Sequence, residues 1–488
     1  MRLRTTSILV CTAIVGCYQG PASSGSGGGD GTSDGPSDGS ADSAGPADST
    51  AGTTGTGTGT GTTDGTTSGP TTGSTSDDPP ADTPLLERLE VTDIEVPQGV
   101  QAGVNNWRIW GLGPLHVAPV FVAPLADCGT LVGFSTGNEP TPRVARLDAA
   151  QGLTTVLDLP AGLQLRGLAA ESDGHFGALL WDPAQQRIWI RRYTLAGEEV
   201  FSTELENPDN TPTDFGIGDS RLEFGDGTYG AYYHVHSDSG HEGDTLKWVG
   251  TEGAPSTGWG WGCSHSMSNL LRFNPAVGSF LPACVTDCFP GTSGDFGANS
   301  IGGIYLDHNA AHVLDVDAGC NGDVAGELGG AALAPNGWAL VFNAHQAPAT
   351  PGQGSYDPST MNQDIGLSMV GGDLSPGNVV WLTSTADVDE DDASIARWEP
   401  AGDATEQYVV GWHEPQGDAW QLGRIDALGT FLEGPLDVGG AAHWGRRDDP
   451  FRQHYDGDVV WAWFDDPGST TLHVARLRAG GSAECAAL

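Results

Sequence analysis

Residues 173–194 read DGHFGALLWDPAQQRIWIRRYT, and this stretch decides the fold. It begins with an Asp-Gly turn dipeptide and continues as an apolar run that ends at Trp181. After a turn at Pro183, the chain enters a second run that is rich in isoleucine and aromatic residues. Two such runs on either side of turn residues are typical of a β-hairpin. The stretch therefore predicts two antiparallel strands joined by a short turn.

The same order of turn, strand, loop and strand returns along the chain. Five further copies begin at Asp127, Asp226, Asn336, Ala401 and Asp456. The turn glycines Gly174 and Gly227 are 53 residues apart, and Gly402 and Gly457 are 55 apart. No stretch of twelve residues has the 3.6-residue periodicity of an amphipathic helix. These observations predict an all-β chain with an internal repeat.

The number of repeats follows from one longer interval. Gly227 and Gly337 are 110 residues apart, which is two repeat steps, so a divergent copy is expected over Trp259–Val316. Counting it gives seven units between about Ala118 and Leu477. The pattern predicts a β-propeller with seven blades; six or eight blades, or a pair of β-sandwiches, remain alternatives. Leu89–Val100 alternates apolar residues imperfectly and could supply the strand that completes the last blade.

The first 84 residues differ from the rest in composition. Arg2 and Arg4 precede an apolar run from Ile8 to Val15, which is the order of a signal peptide. This run is about half the ~20 apolar residues that a transmembrane helix needs. The following segment to about residue 84 consists mainly of Gly, Ser, Thr, Asp and Pro. Because it has almost no large apolar side chains to bury, we expect a disordered linker.

Residues 14–17, Ile-Val-Gly-Cys, resemble the lipobox of bacterial lipoproteins, and the Thr-Gly run at residues 52–61 resembles the stalks of myxobacterial lipoproteins. The resemblance implies that Cys17 is acylated and anchors the protein in a lipid bilayer. Tyr18, in place of Asp, implies the outer membrane, on its periplasmic or its cell-surface face. The predicted organisation is a signal peptide (1–16), the acylated cysteine with its linker (17–84), and an acidic β-propeller-like domain (85–488).

The chain is strongly acidic, with 63 Asp and Glu residues against 20 Lys and Arg residues. Outside the signal peptide and linker, 54 acidic and 18 basic residues remain, and Lys247 is the only lysine. Such a field repels phosphate backbones, which excludes nucleic acid as a partner. We expect a monomer whose partner is a protein or a glycan.

Six cysteines lie beyond the signal peptide and the lipobox: Cys128, Cys263, Cys284, Cys288, Cys320 and Cys485. An even number of cysteines in an exported chain predicts disulfides. The first and last blades of a closed propeller are neighbours, so we expect Cys128 to pair with Cys485 and the other four to pair among themselves. A Cys₄ zinc site built from those four is the alternative.

One segment interrupts the repeat with residue types that recognise ligands or metals. Its candidate binding residues are His234, His236, His241, Asp244, Trp259, Trp261 and His265. On a strand, alternate residues share a face, so His234 and His236 would project together as two metal-binding imidazoles require. Tryptophan faces beside acidic groups would suit sugars. The alternative is that these are polar residues at a blade rim, with the tryptophans packed between sheets.

Two acidic stretches offer oxygen ligands for Ca²⁺. Asp315, Asp317 and Asp323 partly resemble the calcium loops of integrin-type propellers, although Gly319 and Cys320 depart from that pattern. The second stretch contains Asp387, Asp389 and Asp391. Solvated acidic loops are the alternative at both places. No motif establishes a cofactor, and these residues favour Ca²⁺ ahead of a transition metal.

The sequence contains no nucleophile elbow, Walker loop or dinucleotide fingerprint. Whether the chain is an enzyme stays open, and the motifs favour a non-enzyme. We therefore expect a membrane-anchored binding module for a protein or glycan. The alternative is a metal-dependent hydrolase or lyase with its site in the propeller pocket, using the histidines near residues 236 and 265. Propellers support both classes of function, so the fold does not choose between them.

Overall fold

A computed structural model describes residues 82–103, 118–137, 140–207, 219–236, 242–256, 258–263, 268–286, 302–308, 311–316, 326–346, 362–400, 403, 405–444, 449–480 and 485. The chain divides into Met1–Gly73 and Ser74–Leu488, and all described residues belong to the second unit. The predicted signal peptide, Cys17 and nearly all of the predicted linker lie outside the described residues. Within the described ranges, no helix is long and apolar enough to cross a membrane.

The described residues form seven four-stranded antiparallel sheets, which confirms the seven-bladed β-propeller. A 3-10 helix at Leu85–Arg88 leads into β1 (Leu89–Glu95). Blade 1 contains β2 (Phe121–Pro124), β3 (Thr130–Thr136), β4 (Thr141–Leu147) and β5 (Leu153–Asp158). Blade 2 contains β6 (Gln164–Ala170), β7 (His175–Asp182), β8 (Arg187–Thr194) and β9 (Glu199–Glu204). Blade 3 contains β10 (Ser220–Gly225), β11 (Thr228–His236), β12 (Glu242–Gly250) and β13 (Pro255–Ser256).

The other four blades follow in chain order. Blade 4 contains β14 (Asn269–Asn274), β15 (Ser279–Thr286), β16 (Gly302–Leu306) and β17 (Ala311–Val316). Blade 5 contains β18 (Gly326–Ala334), β19 (Gly337–Ala344), β20 (Asp364–Gly371) and β21 (Pro376–Trp381). Blade 6 contains β22 (Asp391–Arg397), β23 (Gln407–Glu414), β24 (Ala419–Asp426) and β25 (Phe431–Asp437). Blade 7 contains β26 (Arg452–Gln453), β27 (Val459–Trp463) and β28 (Thr471–Leu477), with β1 as its fourth strand.

The N-terminal strand β1 completes the last blade, as the alternation over Leu89–Val100 indicates. It pairs antiparallel with β28, from Leu89 opposite Leu477 to Glu95 opposite Thr471. Beyond the strand, Val100 makes an isolated bridge with Thr136 of β3. The N-terminal segment therefore contacts both the last and the first blade, where the ring closes.

The turn dipeptides of the repeat lie between the first and second strands of the blades. At Asp226 and Gly227 both φ angles are positive, 47° and 71°, and Gly225 pairs with Thr228 on either side. A two-residue hairpin turn with positive φ at both positions matches the right-handed twist of the strands. This requirement explains the Asp-Gly pair at residues 226–227, whereas in the turns at residues 173–174 and 456–457 only the glycine has a positive φ, 87° in both.

The divergent copy begins later than expected. Blade 4 starts at Asn269 rather than at Trp259. Residues 258–263 instead lie along β12 of blade 3, where the Leu246 amide donates to the Trp259 carbonyl at 3.3 Å and the Gly262 amide donates to the Asp244 carbonyl at 2.6 Å. This segment prolongs the short outer edge of blade 3, so it does not belong to the next repeat.

The hydrophobic core is divided among the gaps between neighbouring blades. Each gap within the described part of the chain holds its own cluster of buried apolar side chains. Trp338, Trp412 and Trp461 are almost completely buried in three of these clusters. The large side chains fill the space between two twisted sheets, so each blade is stabilised by its neighbours.

Two disulfides are present among the described cysteines. Cys128 and Cys485, predicted to close the ring, form a disulfide with a Cα–Cα distance of 5.4 Å. Cys263 pairs with Cys284 of β15 and links blade 3 to blade 4. Cys288 and Cys320 lie outside the described residues.

Candidate ligand pocket on the propeller axis

The first strands of the seven blades surround a pocket of about 490 Å³ on the propeller axis. Small residues line much of its wall: Ala123, Ala169, Ala331, Ala332 and Ala396. Small side chains on the innermost strands leave the centre of the ring unfilled. The volume lies within the range of small-molecule binding sites, roughly 300 to 1,000 Å³.

A network of four charged side chains lies at the base of this pocket. Arg272 of β14 donates from Nη2 to Asp449 Oδ1 at 2.8 Å. Arg452 of β26 donates from Nη1 to Asp449 Oδ2 at 3.0 Å and from Nη2 to Glu223 Oε2 at 2.8 Å. Blades 3 and 4 are thereby joined to blade 7 across the axis.

The network is balanced in charge, with two guanidinium groups and two carboxylates. Burial and the neighbouring Arg452 lower the pKa of Arg272. Burial also acts to lower the pKa of Arg452, but Glu223 and Asp449 outweigh it and raise that pKa. Both guanidinium groups keep their positive charge, since arginine is not deprotonated in proteins. The base of the pocket is therefore polar but carries no net charge.

Aromatic and polar side chains border the pocket nearer the turns between first and second strands. Phe224 and Phe273 are partly buried, and Tyr455 is 53% exposed. A Cβ atom at Gly225 would lie 2.0 Å from the ring of Phe273, so only glycine at this position lets that ring approach β10. Gln453 also lines the pocket and offers an amide donor and acceptor.

The histidines predicted from the sequence lie elsewhere. His234 and Asp244 are completely buried on β11 and β12, with His234 Nδ1 3.8 Å from Asp244 Oδ1. His236, at the end of β11, is partly buried. His241 and His265 lie outside the described residues. The structure thus brings His234 and Asp244 together, but inside the protein and not along the axial pocket.

The two predicted tryptophans lie at the outer edge of blade 3. Trp259 is stacked on His308, with ring centroids 5.4 Å apart, and meets Tyr232 edge to face at 5.8 Å. The backbone carbonyl of Trp261 accepts a hydrogen bond from His308 Nε2 at 2.6 Å. Both tryptophans are partly buried. The Trp259 ring packs against blade 4, whereas the Trp261 side chain packs on the apolar cluster between blades 2 and 3.

The predicted calcium ligands are dispersed in the described structure. Asp387 is exposed, Asp389 is partly buried and accepts a hydrogen bond from the Gln363 amide at 2.9 Å, and Asp391 is buried. Asp391 lies 2.9 Å from Nδ1 of His413. Burial is the largest effect on His413 and acts to lower its pKa, but the hydrogen bonds to Asp391 and Asp418 and the charges of Asp391 and Asp392 together raise that pKa. The predicted ligand Asp391 is thus paired with His413.

The other predicted calcium loop lies almost entirely outside the described residues. Asp315 belongs to the end of β17, and Asp317 and Asp323 are not described.

Sequence reasoning missed the charged residues of the axis. Glu223 and Arg272 occupy equivalent positions on the first strands of blades 3 and 4. Each lies two residues before the last residue of its strand that pairs with the second strand. Charged residues at such an inner-strand position are unusual, and aligning the first strands of the repeat could have found them. Asp449, which precedes β26, has no such repeat signal.

Comparison with known proteins gives likeness in fold alone. No family model matches the chain, and no curated protein matches it. Among solved structures, the β-propeller domain of the Trilobed protease from Pyrococcus furiosus is similar at 8% identity and a TM-score of 0.39, covering 74% of this chain and 95% of that one. Penicillium chrysogenum α-L-arabinanase complexed with arabinobiose matches at 10% identity and a TM-score of 0.39, covering 80% and 99%. The soluble aldose sugar dehydrogenase of Escherichia coli matches at 11% identity and a TM-score of 0.36, covering 79% and 99%.

Proposed function

We propose that this chain is a lipid-anchored binding protein of the outer membrane whose axial pocket binds the end of a neutral glycan. The observation that supports the binding role is the pocket of about 490 Å³ on the propeller axis. The anchor rests on the lipobox-like residues 14–17. The linker that follows would hold the propeller away from the membrane surface.

The chemistry of the pocket favours a sugar over a charged ligand. The two arginines at its base are each paired with carboxylates at 2.8 to 3.0 Å, so they do not attract an anion as free cations would. Tyr455, Phe224 and Phe273 offer apolar ring surfaces on which the C–H face of a sugar can pack. Gln453 and Glu223 supply hydrogen-bonding groups for hydroxyls.

Binding is tested by titrating the full-length protein in detergent with a panel of neutral oligosaccharides, using calorimetry. For an oligosaccharide that binds, Tyr455→Ala should weaken the affinity about two- to tenfold, because losing one aromatic contact costs roughly 0.5 to 1.5 kcal/mol. Leu428→Ala is the matched control: Leu428 is 77% exposed and lies outside the pocket. Equal affinities for the two variants would contradict the pocket assignment, and cleavage of the oligosaccharide would make the chain a hydrolase instead of a binder.

The anchor is tested separately by Cys17→Ala in the native bacterial envelope. Without the thiol there is no site for the acyl group, so the variant should leave the membrane fraction or remain unprocessed. Wild-type fractionation of this variant would contradict the lipoprotein assignment, whatever the pocket binds.

A further inference from the structure

Three side chains with metal-binding atoms, those of Asp244, Cys263 and Cys284, meet in the gap between blades 3 and 4, away from the axial pocket, and His234 lies beside Asp244. His234 lies on β11, Asp244 on β12, Cys263 at the end of the segment that follows blade 3, and Cys284 on β15. The ligand atoms of Asp244, Cys263 and Cys284 all lie within 4.8 Å of one another. All four residues are buried, with at most 2% of any of them exposed.

The backbone holds these residues in place independently of the disulfide. Trp259 and Gly262 bond to β12 through their main-chain atoms, so the chain runs along this strand and brings Cys263 beside Asp244. Apolar residues enclose the group, including Leu246, Leu271 and Tyr305. The group is therefore buried between two sheets and enclosed by apolar side chains.

The imidazole of His234 is the observation that points to a ligand. Neither ring nitrogen has a hydrogen-bond partner within the described part of the chain, and the side chain is completely buried. A buried polar group without a partner costs about 1 to 3 kcal/mol, so such a group needs an explanation. Its 3.8 Å separation from Asp244 is too long for a hydrogen bond. Two ligands of one tetrahedral zinc ion are about 3.4 to 3.8 Å apart, because the metal bonds are ~2.0 to 2.3 Å long.

We propose that Cys263 and Cys284, when reduced, bind a zinc ion together with Asp244 and His234. A dithiol reductant gives two electrons and two protons to the Cys263–Cys284 bond and becomes a disulfide itself, which leaves two thiols. Zinc then binds both sulfurs as thiolates, and their two protons pass to solvent. Zn²⁺ and two thiolates add no net charge, so the buried site has the same charge in both states.

The consequence is that blades 3 and 4 are cross-linked under both oxidising and reducing conditions. In oxidising surroundings the disulfide holds the two blades, and in reducing surroundings zinc replaces it. This inference concerns a structural site and is independent of what the axial pocket binds. It also differs from a Cys₄ site, since it needs neither Cys288 nor Cys320.

The test uses the full-length protein, reduced with a dithiol that is then removed under anaerobic conditions. Titration with Co²⁺ should give one equivalent bound, with the intense visible bands of tetrahedral cobalt and a thiolate charge-transfer band, and Zn²⁺ should displace it. The oxidised protein should show neither band. The melting temperature of the reduced protein should also rise on adding Zn²⁺, and this measurement needs no variant.

Variants separate the proposed ligands from other cysteines. His234→Gln and Asp244→Asn keep both cysteines, so their folding is checked in the oxidised state before reduction; each should lose the tetrahedral spectrum. Cys288→Ser with Cys320→Ser should retain it, and so should Cys128→Ser with Cys485→Ser. No cobalt bands from the reduced wild type, or bands that survive His234→Gln but disappear in the Cys288→Ser/Cys320→Ser variant, would overturn the proposal.

Discussion

Buried carboxylates are paired with arginines at several places in this acidic chain. Glu171 receives two hydrogen bonds from Arg192, at 2.7 and 2.8 Å, and Asp458 receives one from Arg476 at 2.6 Å. Glu390 differs, because the hydrogen bonds described for it come from the hydroxyls of Thr383 and Thr385 and not from a cation. Burial raises the pKa of Glu390 to about 7, although both threonines oppose the shift.

This raised pKa predicts how stability depends on pH. The folded state keeps the Glu390 proton up to about pH 7, whereas the unfolded chain loses it near 4.5. The folded state therefore binds more protons in this range, and stability falls as pH rises from about 4.5 to 7. Glu390→Gln removes the titrating group. Its free energy of unfolding, relative to wild type, should increase by about 1 to 2 kcal/mol between pH 5 and pH 8, after allowing for solvent screening.

Urea unfolding at the two pH values measures this difference. Glu87→Gln is the control, because Glu87 is exposed; it should shift stability equally at both pH values. A pH-independent difference for Glu390→Gln would show that the carboxyl is ionised in the folded protein throughout.

At the scale of the strand, burial decreases from the axis outward within a blade. Every residue of β19, the second strand of blade 5, is buried, whereas no residue of β21, the fourth strand of that blade, is buried. An outer strand packs on one face only, so few of its side chains contribute to the core. β1 has this character: Ile94 is its only buried residue, and Val91 is 36% exposed.

Ile94→Ala should therefore weaken the closing strand strongly. Ile94 belongs to the cluster between blades 7 and 1, opposite Leu472 of β28. Truncating a buried isoleucine costs about 2 to 4 kcal/mol through lost burial and the cavity left behind. Val91→Ala on the same strand should cost less than about 1 kcal/mol. Chemical denaturation compares the two, and similar losses would mean that β1 is not packed as described.

At the scale of the whole molecule, the ring closes through contacts between the two ends of the domain. β1 pairs with β28, and the Cys128–Cys485 disulfide spans a sequence separation of 357 residues. Arg476 of β28 also donates to the carbonyl of Ala149 in blade 1 at 3.3 Å. Because each blade is stabilised by its neighbours, separating blade 7 from blade 1 would expose the packed faces of both blades.

The Cys128→Ser/Cys485→Ser variant tests the covalent part of this closure. A bond that closes so long a loop restricts the unfolded chain, and in the chain-entropy model its loss should lower stability by about 5 to 6 kcal/mol. Cys263→Ser/Cys284→Ser is the comparison. It removes a link across only 21 residues, for which the same model gives about 3 kcal/mol. Unfolding free energies measured under oxidising conditions should keep this order, and the reverse order would contradict the chain-entropy explanation.

Much of the architecture could be predicted from sequence because its signals are local. The Asp-Gly turns and the apolar runs beside them involve residues that are neighbours in the chain, and their spacing of 53 to 55 residues indicated the number of blades. The sequence pattern predicts the start of the fourth blade ten residues too early, because the first hairpin of that blade turns at residues 275–278 without an Asp-Gly or Asn-Gly pair.

The sequence by itself determined the all-β class, the seven repeats and the closing strand, because turn chemistry and alternation act over a few residues. Only the tertiary structure decided where the pocket and the buried charges lie. Glu223 meets Arg452 across 229 residues, and Arg272 meets Asp449 across 177. The Asp244 carboxylate, likewise, meets the two cysteines only when blades 3 and 4 pack. Contacts between residues so far apart in sequence produce no periodic pattern in the chain, because they form only once the ring has closed.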